Sequence, residues 1–391
     1  MTAPTNPAEL WSLLREDFAT HDRDWTQPGF WALASHRVGT WTQSWRSQFA
    51  RTSAQRAYAA ITRATQPLVG FELPLETRLG RRVRFWHHGG TRIFAKRVGD
   101  DVHLRQNTLI GPADPRDTDP RSWPELGDRV DVGSGACVRG AIQIGDDALV
   151  GANSFVNSNA PARSTVVGVP ARALPRMGKP RFGVVSDLPE KGTQNQNPAE
   201  LPLLELVAED FRTHGSRTFE PGFWAVAIHR FGNWRMSVQN KALRAPLTLA
   251  YRVAFHTVRQ VWGIDLPYDV QLGRRVRLAH HGSIHIGARS IGDDVIIRHG
   301  ATIGLARAGQ NEPKPIVANR VEIGPRACIV GNVTIGEDAV IGANTVVPID
   351  VPPGTFALGV PARFVKPARL ATEPPPSDAT NPRRAPTALV G

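Results

Sequence analysis

The chain keeps a six-residue beat that few folds accommodate. From Ile323 to Val347 an aliphatic residue stands at 323, 329, 335, 341 and 347, and glycine follows it at 324, 336 and 342. A helix repeats about every 3.6 residues and a half-buried strand every two, so neither explains a step of six held over consecutive intervals. A chain wound into a flat-sided coil does. Each short strand then turns one aliphatic side chain inward, and a tight turn follows it. A valine- and glycine-rich antiparallel sheet is the competing account, and simple alternation leaves its spacing unexplained. The ladder extends upstream through Leu272, Leu278, Ile284, Ile291, Ile297 and Ile303. Another runs through Leu79, Phe85, Thr91, Val98, Leu104 and Ile110, then Val132, Val138, Ile144, Val150 and Val156.

Two ladders imply duplication. Pro28-Gly29-Phe30-Trp31 recurs as Pro221-Gly222-Phe223-Trp224, and residues 79–84 return identically at 272–277, both 193 positions later. Further on the offset is 191, as Cys137 against Cys328 shows, so the loops 112–126 and 305–317 differ in length. Each unit opens with apolar residues at helical spacing: Leu10, Leu13, Leu14 and Phe18, then Leu203, Leu204, Val207 and Phe211. Pro28 and Pro221 suit the first turn of a second helix. His36-Arg37 and His229-Arg230 follow on that helix and read as helix packing and a polar rim. A third helix is expected over roughly 46–66 and 239–260. The expected architecture is α+β, two copies of a helical cap followed by a parallel β-helix. The boundaries are a cap over 8–66, a coil over 67–173, a linker over 174–200, a cap over 201–260, a coil over 261–367 and a disordered tail over 368–391.

Composition narrows the function. The formal net charge of +12 would suit a polyanion. No basic amphipathic helix, finger spacing or aromatic-basic motif points to nucleic acid, and a small ligand bearing phosphates would need few of those charges. Cys137 and Cys328 sit inside the ladders and read as small buried hydrophobes, not as a disulfide or a metal site. No apolar run approaches the about 20 residues of a membrane span, and the start MTAPTNPAEL lacks a basic and apolar leader. A cytoplasmic protein without membrane or metal is expected.

The second ladder, ending in Gly359-Val360-Pro361-Ala362-Arg363, resembles the end of the hexapeptide-repeat acyltransferases. Leu278-Ala279-His280 and Asp265-Leu266-Pro267 narrow the resemblance to the serine O-acetyltransferase branch, whose catalytic His and partner Asp lie in segments like LDHATG and DIHP. That resemblance implies a left-handed β-helix, acetyl-CoA as donor and a small hydroxyl acceptor, serine or a serine-like amino acid first among them. It also implies three β-helices packed side by side with a site in each cleft. With two units per chain, the expectation is a homotrimer of six β-helices, two stacked trimers whose tryptophan-rich caps meet at the waist.

Acetyl transfer to an alcohol needs a base for the hydroxyl proton and a donor for the developing oxyanion. Histidine serves as base near neutral pH, and a carboxylate on its other nitrogen fixes the tautomer. Asp265 precedes His280 by fifteen residues and Glu72 precedes His87 by fifteen, close to one eighteen-residue coil, so acid and base fall in adjacent layers. The catalytic candidates are therefore His280 with Asp265 and, by duplication, His87 with Glu72. His281 and His88 are candidates for an oxyanion or acceptor contact. Gly304, Ala327 and Ala343 are expected to line the groove for the pantetheine arm, with Arg363 near the phosphates. Two departures from the family stand out. Its Asp before the catalytic His is Ala279 here and Trp86 in the first unit. Its loop with an Arg-His pair is replaced by Gln310-Asn311-Glu312-Pro313-Lys314 and Pro120-Arg121-Ser122-Trp123-Pro124. These changes bear on recognition of free L-serine, and a sugar or other small-molecule acceptor is the alternative. A β-helix scaffold without an acceptor site is the non-enzymatic reading. A carbonic-anhydrase-like variant lacks its three metal-binding histidines.

Overall fold

A computed structural model describes residues 4–86, 90–175, 195–279, 282–304 and 314–365. The same element order occurs twice. Helices α1 (Pro7–Thr20), α2 (Pro28–Thr42) and α3 (Gln48–Val69) precede a first coil beginning at Phe71. Helices α4 (Leu203–Thr213), α5 (Pro221–Trp234) and α6 (Lys241–Trp262) precede a second beginning at Ile264. The third helices thus run two or three residues beyond their expected ends. Each coil has three sheets of five, four and six strands, and successive strands visit the three in turn. Pairing is parallel except for the closing hairpins, Ser164–Gly168 with Ala171–Pro175 and Phe356–Leu358 with Arg363–Val365. Those hairpins add 174–175 to the first coil. Most of the expected linker (176–194), the last two residues of the expected second coil (366–367) and the expected tail (368–391) lie outside the described residues.

The six-residue beat becomes geometry in these coils. Strands are mostly two residues long, and the inward residue of each, such as Val98, Val132, Ile297, Ile323 and Ile341, is fully buried. Between strands the chain turns through left-handed residues, Arg82, Asp101, Arg129 and Asp147 in one coil and Arg275, Asp294, Arg320 and Asp338 in the other. Stacked turns place these side chains in register. Arg129 donates two hydrogen bonds to Asp147 at 2.9 Å, and Arg320 does the same to Asp338 at 2.7 and 2.8 Å.

Repeated sequence in the caps has a packing cause. Proline opens α2 and α5, where its missing N–H is harmless. The glycine after it lies against a strand: a Cβ on Gly29 would stand 2.5 Å from the Phe85 carbonyl oxygen, and Gly222 meets Leu278 likewise. The phenylalanine packs edge-on against Phe18 or Phe211, and the tryptophan donates from Nε1 to the Trp25 or Thr218 carbonyl.

Arg37 and Arg230 do not form a polar rim; they are buried clamps between cap and coil. Arg230 donates to Asp210 at 3.0 Å and to the Leu272 and Gly273 carbonyls at 2.7 and 2.5 Å. Arg37 repeats this with Asp17, Leu79 and Gly80. Burial pushes both carboxyls up, and the guanidinium opposes the shift. Beside each pair a neutral histidine completes the joint. His21 Nδ1 donates to the Asp17 carbonyl at 2.7 Å and its Nε2 accepts from the Phe85 N–H at 3.3 Å; His214 is placed identically against Asp210 and Leu278.

The two coils lie side by side. A corner of the first presents Gln106, Ser134 and Asn153 to the five-stranded sheet and adjoining turns of the second. Gln106 Nε2 donates to Thr302 Oγ1 at 2.9 Å, Ser134 Oγ lies 3.5 Å from Cys328 Sγ, and Asn153 Nδ2 donates to the Arg326 and Asn344 carbonyls. This corrects the arrangement expected from the linker, in which the coils of one chain stand at opposite ends of a cap-to-cap joint. Cys328, in the ladder strand Cys328–Val330, is buried with its Sγ at that contact; Cys137, its counterpart, is half-buried.

Candidate functional site

Side-by-side packing creates a cleft of about 510 Å³ between the coils. The second half supplies Asp265, Pro267, Asp269, His285, Gly287, Thr302, Gly304 and Lys314. The first supplies Asp22, Arg84, Trp86, Arg105, Gln106 and Ser134. Its volume falls in the range of about 300–1,000 Å³ usual for small-molecule sites.

Asp265 reaches the cleft because strand Ile264–Asp265 opens the coil and pairs with Ile284–Ile286 in the next layer. That register sets Asp265 opposite His285, and Asp265 Oδ2 lies 3.1 Å from His285 Nδ1. Sequence reasoning missed His285 because it sought a fifteen-residue spacing, whereas the direct neighbour across this layer is twenty residues on. Lys314 Nζ is 3.2 Å from Asp269 Oδ2. Among the described residues, a Cβ on Gly304 would meet nothing within 4 Å.

The corresponding face of the first half differs. Glu72 pairs with Arg92, which occupies the place of His285, and no imidazole meets that carboxylate among the described residues. Phe94 stands where the second half has Gly287, and Trp123 where it has Lys314. Their rings meet edge-on at 5.4 Å, and Trp123 is buried. A Cβ on Gly111, the counterpart of Gly304, would touch the Phe94 Cβ at 3.6 Å. Aromatic side chains fill the space that the second half leaves open.

Of the residues expected from sequence, Asp265 and Gly304 are brought together in the cleft. His87, His88, His280 and His281 lie outside the described residues, as does the loop 305–313; Ala279 ends the strand that leads to His280. Ala327 is a correction: its methyl group points into the coil and is fully buried, so it cannot line a groove. Ala343 and Arg363 are exposed and stand apart from this cavity. The described residues hold no cluster of His, Cys, Asp or Glu fit for a metal ion, and no described helix is long and apolar enough to cross a membrane.

The bacterial transferase hexapeptide family (six repeats) matches residues 314–348. The chain is 37% identical over 146 residues to a serine acetyltransferase of Mycobacterium tuberculosis, covering 37% of this chain and 61% of that one. Against the serine acetyltransferase of Helicobacter pylori the identity is 35% over 115 residues, 29% of this chain and 67% of the relative. The chain belongs to the serine acetyltransferase family. It spans 61% of the Mycobacterium relative and 50% of the Escherichia coli K12 one, so these family members extend beyond the shared region. Among solved structures, soybean serine acetyltransferase is 32% identical with a TM-score of 0.35, covering 42% of this chain and 69% of that one. The Brucella abortus enzyme in complex with coenzyme A is 24% identical with a TM-score of 0.38, covering 44% and 70%. Likenesses at these scores do not decide the fold, which rests on the strand pairing described above.

Proposed function

We propose that the chain transfers an acetyl group from acetyl-CoA to a hydroxyl of a small acceptor, within the cleft between its two coils. The observation that carries the reading is Asp265, a carboxylate held against an imidazole in a cleft that Gly304 leaves open. The names of the family members make serine the first acceptor to test.

In this reading His280 is the general base, and Asp265, held through one oxygen by His285, orients His280 and stabilises its protonated form through the other. The imidazole takes the acceptor proton as the hydroxyl oxygen attacks the thioester carbonyl. The tetrahedral intermediate collapses, the carbon–sulfur bond breaks, and the proton passes from the imidazolium to the leaving CoA sulfur. An ester and free CoA result. Acetyl-CoA enters as a substrate, its pantetheine arm running past Gly304, where the bare backbone admits it. The first half serves as the opposite wall, because its own counterpart face carries Glu72–Arg92 and the Phe94–Trp123 pair.

The test is release of free CoA thiol from acetyl-CoA by the intact chain, over a panel of amino acids and sugars. Acceptor-dependent release that His280→Ala abolishes, with CoA binding kept, supports the reading. No release with any acceptor leaves the non-catalytic scaffold as the function.

A further inference from the structure

We infer that His285 is a positioning residue that acts by staying neutral: it holds one oxygen of Asp265 while leaving the carboxylate its negative charge. This rests on the acetyl-transfer reading above. A carboxylate only accepts hydrogen bonds, so the 3.1 Å contact between Asp265 Oδ2 and His285 Nδ1 places the proton on Nδ1. An imidazole gives that hydrogen without bearing charge, whereas a guanidinium gives one only as a cation.

The strand register fixes the ring. His285 lies between Asp265 in one layer and Thr302 in the next, and Thr302 accepts from Gln106 of the first half. The side chains of His285 and Asp265 are only 20% and 16% exposed, so charge placed on the ring would act on the carboxylate with little screening by water. A cation there would cancel the charge that the reading needs to stabilise the imidazolium of His280.

The first half shows that alternative. At the same register position Arg92 forms an ion pair with Glu72. Carboxylate, strand and register are kept, and the partner has become a permanent cation. The identity of this one residue therefore separates an acid whose charge serves a neighbouring base from one whose charge is already neutralised.

The experiment compares the intact parent chain with His285→Asn and His285→Arg by initial rates of CoA release, using the best acceptor of the parent. Asparagine sets an uncharged N–H donor where Nδ1 stands, and arginine installs the partner found in the first half. The expected result is a kcat about tenfold or more lower in His285→Arg than in His285→Asn, with KM for acetyl-CoA differing by less than about twofold. His285→Gln, whose amide lies further out where Nε2 stands, should lose the hold and show a similar fall if the arginine variant does not fold. Nitrogen NMR of the parent labelled at histidine should show His285 near neutral pH as the uncharged tautomer with its proton on Nδ1. Equal losses in the asparagine and arginine variants, full activity in the arginine or glutamine variant, or an imidazolium signal from His285 would overturn this inference alone. A parent that transfers acetyl to no acceptor would contradict the acetyl-transfer reading, and the inference with it.

Discussion

The two halves share one backbone plan, yet their equivalent faces are chemically opposite. In the second, Asp265 meets an imidazole and Gly304 leaves room among the described residues; in the first, Glu72 meets a permanent cation and Phe94 and Trp123 occupy the room. A guanidinium stays protonated near neutral pH and cannot act as a base. The buried lattice under both faces, the aliphatic ladder, is the same. The comparison teaches that the ladder sets where side chains stand and leaves their outward chemistry free to diverge.

The largest expected effect separates the two acids. Asp265→Asn should lower acetyl transfer by about 100-fold or more, the scale of lost acid–base assistance. Glu72→Gln should change it by less than about twofold, because its carboxylate faces Arg92 and not the cleft. Comparable losses measured as initial rates of CoA release would mean that both faces work.

The clamps should respond alike in the two halves. Arg37→Met and Arg230→Met each leave a buried aspartate without its partner, at a cost of about 3–5 kcal/mol. Calorimetric unfolding should show both variants melting well below the parent. A mild change in one would mean that the clamp is not shared.

The aromatic fill gives a stability difference without a difference in rate. Trp123→Ala should destabilise by about 3 kcal/mol or more through the cavity it leaves, while acetyl transfer per folded molecule is preserved. Lys314→Ala, at the equivalent position in the cleft, should do the reverse, changing KM with little change in denaturant midpoint.

Much of this architecture was legible in sequence. The period of six required inward aliphatics, and the repeated Pro-Gly-Phe-Trp marked two caps. The clamps were half legible: Asp17 and Arg37 recur as Asp210 and Arg230 at the same spacing, but nothing local says that a guanidinium reaches the Leu272 carbonyl forty-two residues away. Asp265–His285 required the register of one layer, which a loop between strands alters by two residues. The side-by-side contact was not legible at all, because Gln106, Ser134 and Asn153 are single polar residues at turns without a periodic signature.

The smallest effect concerns pH, and here the halves should again agree. Burial, aided by the neighbouring arginine, lowers His36 and His229 to about 3, against about 6.5 in an unfolded chain. Between those values the unfolded chain binds the extra protons, so stability is complete above about pH 6.5 and falls as pH drops toward about 3. His36→Gln and His229→Gln should each flatten the slope of melting temperature over that window. An unchanged slope in either would contradict neutral burial.

The central claim is that each chain has one working cleft, walled by both halves, and the number of CoA molecules bound per chain tests it most directly. Equilibrium titration of the intact chain with CoA should give one site, lost or weakened on Gly304→Trp and indifferent to Gly111→Ala. Two equivalent sites per chain, or one that survives Gly304→Trp, would contradict the account.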